Sequence, residues 1–166
     1  MEKGSGDEVC YNNRMKILGI DPGSSITGFG IIDEKTVFEY GCIKANNDLT
    51  SLYKQLNKLI TKHKPEAMAV EKLFFSQNVK TALRVSEARG VILLCAALAE
   101  IPIVEYTPLE VKMALTGYGK ADKHQMQHMV KNLLELSEIP KPDDAADALA
   151  IAICHLNSYK IKELAK

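Results

Sequence analysis

Ile17-Leu18-Gly19-Ile20-Asp21-Pro22-Gly23-Ser24 is the stretch on which the fold of this 166-residue chain turns. Its apolar run is long enough for a buried strand and too short for a helix, and it halts at Asp-Pro-Gly-Ser, a strong turn signal. Working outward, Ile26 to Asp33 and Val37 to Lys44 read as two further strands, which makes a three-stranded antiparallel meander. Leu52, Leu56, Leu59 and Ile60 then recur at helical spacing until Pro65 ends the helix. Ala67 to Lys72 reads as a fourth strand, and Asn78 caps a long helix running to about Glu100. Ile103 to Tyr106 is a fifth strand, and Thr107-Pro108 starts a helix by the preferences of its first two positions. Two more helices follow, about Asp122 to Leu136 and Pro142 to Tyr159. The order βββαβαβααα predicts an α/β domain, a mixed five-stranded sheet whose first three strands are antiparallel, with helices on both faces. Residues 15–160 form that single domain. The polar, aperiodic residues 1–14 read as an extension before it and 161–166 as a tail.

Composition narrows the classes of function. With 46% hydrophobic and 25% charged residues the chain matches an ordinary globular protein. Its longest purely apolar run, Val91 to Ala99, is far short of the roughly 20 residues a membrane-spanning helix needs. Cys10, Cys42, Cys95 and Cys154 show no Cys-x-x-Cys spacing, and with no secretory leader they read as reduced thiols of a cytoplasmic protein. A net charge of zero weighs against a uniformly basic nucleic-acid binder. Its distribution leaves two readings open, a phosphate-binding stripe and a solvated helix face. Between Val111 and Asn132, Lys112, Lys120, Lys123 and Lys131 face the single acid Asp122, with His124 and His128 among them. A local basic stripe can hold phosphates while carboxylates elsewhere cancel the total.

Four acids occupy positions that local structure would not choose. Asp21 ends one apolar strand and Glu71 lies near the end of another. Asp144 and Asp147 stand three apart near the start of the last helix and so share a face. Each has an ordinary explanation when taken alone: Asp21 as a turn former, Glu71 as a surface residue, Asp143 and Asp144 as first-turn acids favoured by the helix dipole. Asp147 resists one, because Ala145, Ala146, Ala148, Leu149 and Ala150 surround it with small apolar side chains. Carboxylates without Cys or His ligand spacing make a hard-oxygen site suited to Mg²⁺ or Mn²⁺. Two such ions can activate water and stabilise the leaving oxygen in phosphodiester hydrolysis. His124 and His128, four apart, have zinc-type spacing, but no third ligand accompanies them. Spacing alone does not choose between Asp143 and Asp144.

These blocks resemble the RuvC family of crossover junction endodeoxyribonucleases. The likeness runs through Ile17 to Ser24, Thr27-Gly28-Phe29-Gly30, Val70-Glu71 with Phe74, Glu87-Ala88-Arg89-Gly90-Val91, Val111-Lys112, Gln125 to Val130 and Asp144 to Ala150. It covers Met15 to about Ser158. It implies an RNase H-like fold, a homodimer and paired symmetric cuts at Holliday junctions, in recombination and repair, with two Mg²⁺ ions per subunit that Mn²⁺ can replace. It implies that Asp21, Glu71, Asp144 and Asp147 are the catalytic metal ligands, choosing Asp144 over Asp143. It further implies that Phe74 stacks at the junction centre, that Lys112 and Lys123 contact phosphates of the cut strand, and that the RuvA–RuvB branch-migration complex is a partner.

A four-way junction is close to two-fold symmetric, and one domain carries one carboxylate cluster, so two copies are needed for two cuts. The helix from Asn78 to Glu100 is the interface expected for that dimer, because it carries more apolar surface than one sheet face covers. Three other readings compete. A phosphotransferase of the actin, Hsp70 and sugar-kinase superfamily shares the pattern Gly19 to Gly28 but needs a second lobe and a second phosphate loop. A ribosomal-RNA-processing nuclease shares the fold. A non-catalytic junction scaffold would have no use for a carboxylate cluster that repels phosphates.

Overall fold

The computed structural model describes residues 14–34, 36–72 and 79–164. Its elements follow the predicted order: β1 (Ile17–Asp21), β2 (Ile26–Ile32), β3 (Val37–Lys44), α1 (Leu49–His63), β4 (Ala67–Glu71), α2 (Val79–Leu98), β5 (Ile103–Tyr106), α3 (Pro108–Thr116), α4 (Lys123–Leu133) and α5 (Asp143–Leu164). The sheet order is β3-β2-β1-β4-β5, with β1 antiparallel to β2, β2 antiparallel to β3, and β1, β4 and β5 parallel. This is the mixed sheet that the sequence pattern predicts.

β1 is the central strand and is buried on both faces, which is why it reads as an unbroken apolar run rather than an alternating one. Leu18 and Ile20 belong to a core with Met68 and Val70 of β4, Leu52 and Leu56 of α1, and Ile92 and Cys95 of α2. Ile17 and Ala69 belong to a second core with α3, α4 and α5 on the opposite face. Successive side chains of a strand alternate faces, so Asp21 falls on the α5 face with Ile17 and Gly19, and Glu71 falls there with Ala69.

α5 lies directly on that face. A Cβ at Gly19 would sit 2.2 Å from the carbonyl of Ala148, and one at Gly28 would sit 2.0 Å from the carbonyl of Asp144. Bare backbone on β1 and β2, met by Ala145, Ala148 and Ala152, is what lets the helix come this close. The helix also packs against α3 and α4, so its apolar residues run almost all the way round.

The helix ends follow local chemistry. Thr107 and Glu110 form a reciprocal cap at the start of α3, with Pro108 in the first turn. Asp122 and Gln125 do the same for α4. Two boundaries differ from expectation. α4 stops at Leu133 rather than Leu136, because Leu134 caps it and Glu135 turns to φ 51°. α5 continues beyond Tyr159 to Leu164, and Lys160 on that extension pairs with Glu34. Asn78, the expected cap of α2, lies outside the described residues.

Candidate active site

The turn after β1 is tied down from below. Thr27, fully buried, donates its hydroxyl to the Gly23 carbonyl at 3.1 Å and accepts from the Gly23 amide at 3.5 Å. Asp21 is thereby held at the point where β1 leaves the sheet. In register, Asp21 pairs with Gly28 and Gly28 with Cys42, so the three positions form one row across the sheet. α5 begins over that row, with the Asp144 backbone against Gly28.

Asp21, Glu71 and Asp147 line one open cleft together with Lys112, Lys123, Val111, Met126 and Pro108. Its volume is about 210 Å³, room for several water-sized occupants. Asp144 is half-buried and does not line the cleft, but its charge reaches Asp21. Burial pushes the Asp21 carboxyl up to about 8, and the charges of Glu71, Asp147 and Asp144 add to the effect while Lys123 opposes it. Glu71 is raised by burial and then by Asp147. Asp147 is raised by burial, with Lys123 pulling it down and Asp144 and Asp143 pushing it up. Asp21, Glu71 and Asp147 therefore share a poorly solvated site in which neighbouring acids add to the cost of ionising each of them.

Asp143 and Asp144, which spacing left open, part company here. The exposed Asp143 carboxylate takes the Lys123 ammonium at 3.0 Å and the Gln127 side-chain amide at 2.9 Å. Asp144, not Asp143, is the neighbour whose charge reaches both Asp21 and Cys42. Lys123 also approaches Asp147 at 3.7 Å, so one ammonium leans over the acidic cluster. Hydrogen bonding to Asp143 holds that ammonium above its ordinary pKa. Lys112 sits across the cleft on α3. Phe74, expected at the junction centre, lies outside the described residues.

Sequence reasoning passed over two neighbours. Cys42 stands in the Asp21 row, its thiol pushed up by burial and then by the Asp144 charge. Only strand register reveals it, because no spacing pattern links residue 42 to residue 144. Thr27 was visible as part of the Thr-Gly-Phe-Gly block, but its role as a lock on the turn was not.

A divalent ion suits this donor set. The ligand atoms available are carboxylate oxygens, they are partly buried, and their mutual repulsion is relieved only in part by the Lys123 ammonium. Among the described residues, no three His, Cys, Asp or Glu side chains already close on a single point. Small side-chain rotations that carry the acids inward against their repulsion are the kind a cation drives.

Comparison with known proteins finds likenesses over most of the chain. The family model described as crossover junction endodeoxyribonuclease RuvC matches residues 17–155. The chain is similar to the crossover junction endodeoxyribonuclease RuvC of Desulforamulus reducens, 54% identical over 151 residues, covering 85% of this chain and 93% of that one. The RuvC of Halothermothrix orenii is 52% identical over 157 residues, covering 89% and 95%. Among solved structures, Thermus thermophilus RuvC in complex with a Holliday junction substrate superposes with a TM-score of 0.84 at 32% identity, covering 89% of this chain and 96% of that one. The yeast mitochondrial Holliday junction resolvase shares the fold at 16% identity, with a TM-score of 0.65.

Proposed function

The chain belongs to the crossover junction endodeoxyribonuclease RuvC family, and on that footing we propose that Asp21, Glu71, Asp144 and Asp147 hold two divalent metal ions with which it cuts Holliday junctions. It is a junction-resolving, metal-dependent nuclease. Mg²⁺, with Mn²⁺ as a substitute, is the ion that an all-carboxylate ligand set favours. The observation that carries the assignment is the meeting of Asp21, Glu71 and Asp147 in one cleft with Lys112 and Lys123 on its walls.

When bound, two such ions supply Lewis-acid stabilisation of the attacking and leaving oxygens of the phosphodiester. The protein's own residues do the rest. Asp21 and Glu71 project from the ends of adjacent parallel strands, which fix their separation. Asp144 and Asp147 come from the first turns of a helix clamped on the sheet. Unneutralised, this cluster would repel the phosphate nearest to it, a charge that bound cations would offset at the point of cutting, while contacts elsewhere hold the junction. Lys123 then exchanges Asp143 and Asp147 for a phosphate of the cut strand, and Lys112 takes another from the opposite wall. Phe74, three residues beyond Glu71 in sequence, supplies a stacking face for an unpaired base at the junction centre, a contact of about 1–3 kcal/mol.

Two cuts need two such sites. α2 presents Leu83, Leu94 and Leu98 to solvent at 59%, 52% and 65% exposure, far more than a finished core would leave. Gly90 lies on the same stripe, exposed, and a Cβ there would meet nothing within 4 Å. An exposed mid-helix glycine costs about 1 kcal/mol relative to alanine. A second copy of α2 approaching closely across Gly90, with the leucines packed on either side, accounts for both features. The homodimer so formed carries two clefts, and the RuvA–RuvB branch-migration complex is the partner that delivers the junction.

The test is cleavage of a labelled four-way junction beside a linear duplex of the same sequence and a structured RNA, with Mg²⁺ or with chelator. Symmetric nicks confined to the junction and dependent on the metal are expected. Equal cutting of linear duplex or RNA would contradict the reading.

A further inference from the structure

α4 carries a second pair of ligand-type side chains that the acidic cleft does not use. His124 and His128 are four residues apart, so the helix brings them together on one face. Their ring centroids are 4.2 Å apart, and their Nε2 atoms approach to 3.0 Å. Two imidazoles that meet through the same nitrogen share one proton between two lone pairs. A cation set to one side of the line between them can take a lone pair from each nitrogen.

The separation discriminates between ions. With metal–nitrogen bonds of about 2.0–2.1 Å, nitrogens 3.0 Å apart subtend roughly 94° at the ion. That is near the right angle between neighbouring ligands of a tetragonal or octahedral ion. A tetrahedral ion, at about 109°, would hold the nitrogens roughly 3.3 Å apart. Neutral imidazole is also a borderline ligand that favours Cu²⁺ and Ni²⁺ over the hard ions suited to carboxylates. We propose that His124 and His128 form a bidentate site for a divalent transition ion of Ni²⁺ or Cu²⁺ type, separate from the carboxylate centre. Among the described residues no third His, Cys, Asp or Glu side chain completes the cluster. The remaining coordination positions thus fall to water or an anionic oxygen. His124 is exposed and His128 half-buried, so the rings are accessible.

The site reaches the cleft through the helix itself. The chelate spans residues 124–128, a turn that contains Gln127 and begins next to Lys123, and those two side chains hold Asp143 at 2.9 and 3.0 Å. An ion bridging residues 124 and 128 therefore fastens the turn that presents Lys123 to the acidic cluster.

Ni²⁺ is the probe, titrated calorimetrically into the full chain in excess Mg²⁺, which keeps the carboxylates occupied. One Ni²⁺ per chain is expected, with a rise in melting temperature. Either His124→Ala or His128→Ala should weaken it roughly tenfold or more, because a chelate becomes a single ligand. Asp21→Asn should leave it unchanged. Uptake that survives the double His variant, uptake lost in Asp21→Asn, or no uptake by the wild-type chain would each overturn the proposal. Zn²⁺ binding tighter than Ni²⁺ would overturn the right-angle geometry.

Discussion

At Asp21, burial and three neighbouring carboxylates act in the same direction. Its folded pKa of about 8 stands above the ordinary 3.8 that the unfolded chain restores. Between those values the metal-free folded state binds more protons than the unfolded one, so this group's contribution to stability falls as pH rises through that window. The cost is absent below about pH 3.8 and fully developed above about 8. Metal-free Asp21→Asn should therefore melt higher than wild type at pH 8, and the two should converge near pH 4. Mg²⁺ should raise the wild type and narrow the gap. A metal-free variant that melts no higher at pH 8 would mean that the carboxylates are not strained against one another. Asp143 and Asp144 offer a second test at this scale. Asp144→Asn should abolish cutting, whereas Asp143→Asn should keep most of it and chiefly release Lys123. The reverse result would shift the ligand register by one residue.

The elements matter because they bring distant residues into one place, and glycine is what lets the nearest two touch. Gly28→Ala sets a methyl 2.0 Å from the Asp144 carbonyl, so the first turn of α5 must move. Overpacking of this kind costs about 1–3 kcal/mol, and here it also displaces two carboxylates. Cutting should collapse in a protein that still folds, and chemical denaturation beside a cleavage rate separates the two effects. Normal cutting at wild-type stability would contradict the close-packed placement of α5. The element order was legible because β1 and β4 carry compact apolar runs, and Thr107-Pro108 and Asp122 mark their helix starts openly. The end of α4 was not, since Leu134 and Leu136 continue the apolar pattern while a left-handed Glu135 breaks the backbone. The choice between Asp143 and Asp144 was likewise hidden from spacing, because both share a face with Asp147. Resemblance to the family selected Asp144, and the Lys123 and Gln127 partners of Asp143 add a physical reason. Cys42 was invisible for a different reason: only strand register brings it beside Asp21.

For the whole molecule, the question is how one cluster of acids makes two coordinated cuts. The proposed dimer across α2 would answer it, and Leu94→Glu is the direct probe. A charge at this exposed position leaves the monomer's core untouched, since among the described side chains of α2 the buried ones are Ala88, Ile92, Cys95 and Ala96. Sedimentation should report a monomer, with paired cutting lost and circular dichroism unchanged. A Leu94→Glu dimer with full paired cutting would move the interface off α2.

The central claim is that the four carboxylates serve chemistry rather than shape. Its most direct measurement is junction cleavage and junction binding on one preparation of Asp21→Asn with saturating Mg²⁺. Cleavage should fall by more than about a hundredfold, as befits loss of a metal ligand, while the binding constant stays within roughly threefold because phosphate contacts and junction shape are intact. Cleavage at the wild-type rate, or binding that fails along with cleavage in a folded protein, would contradict the account.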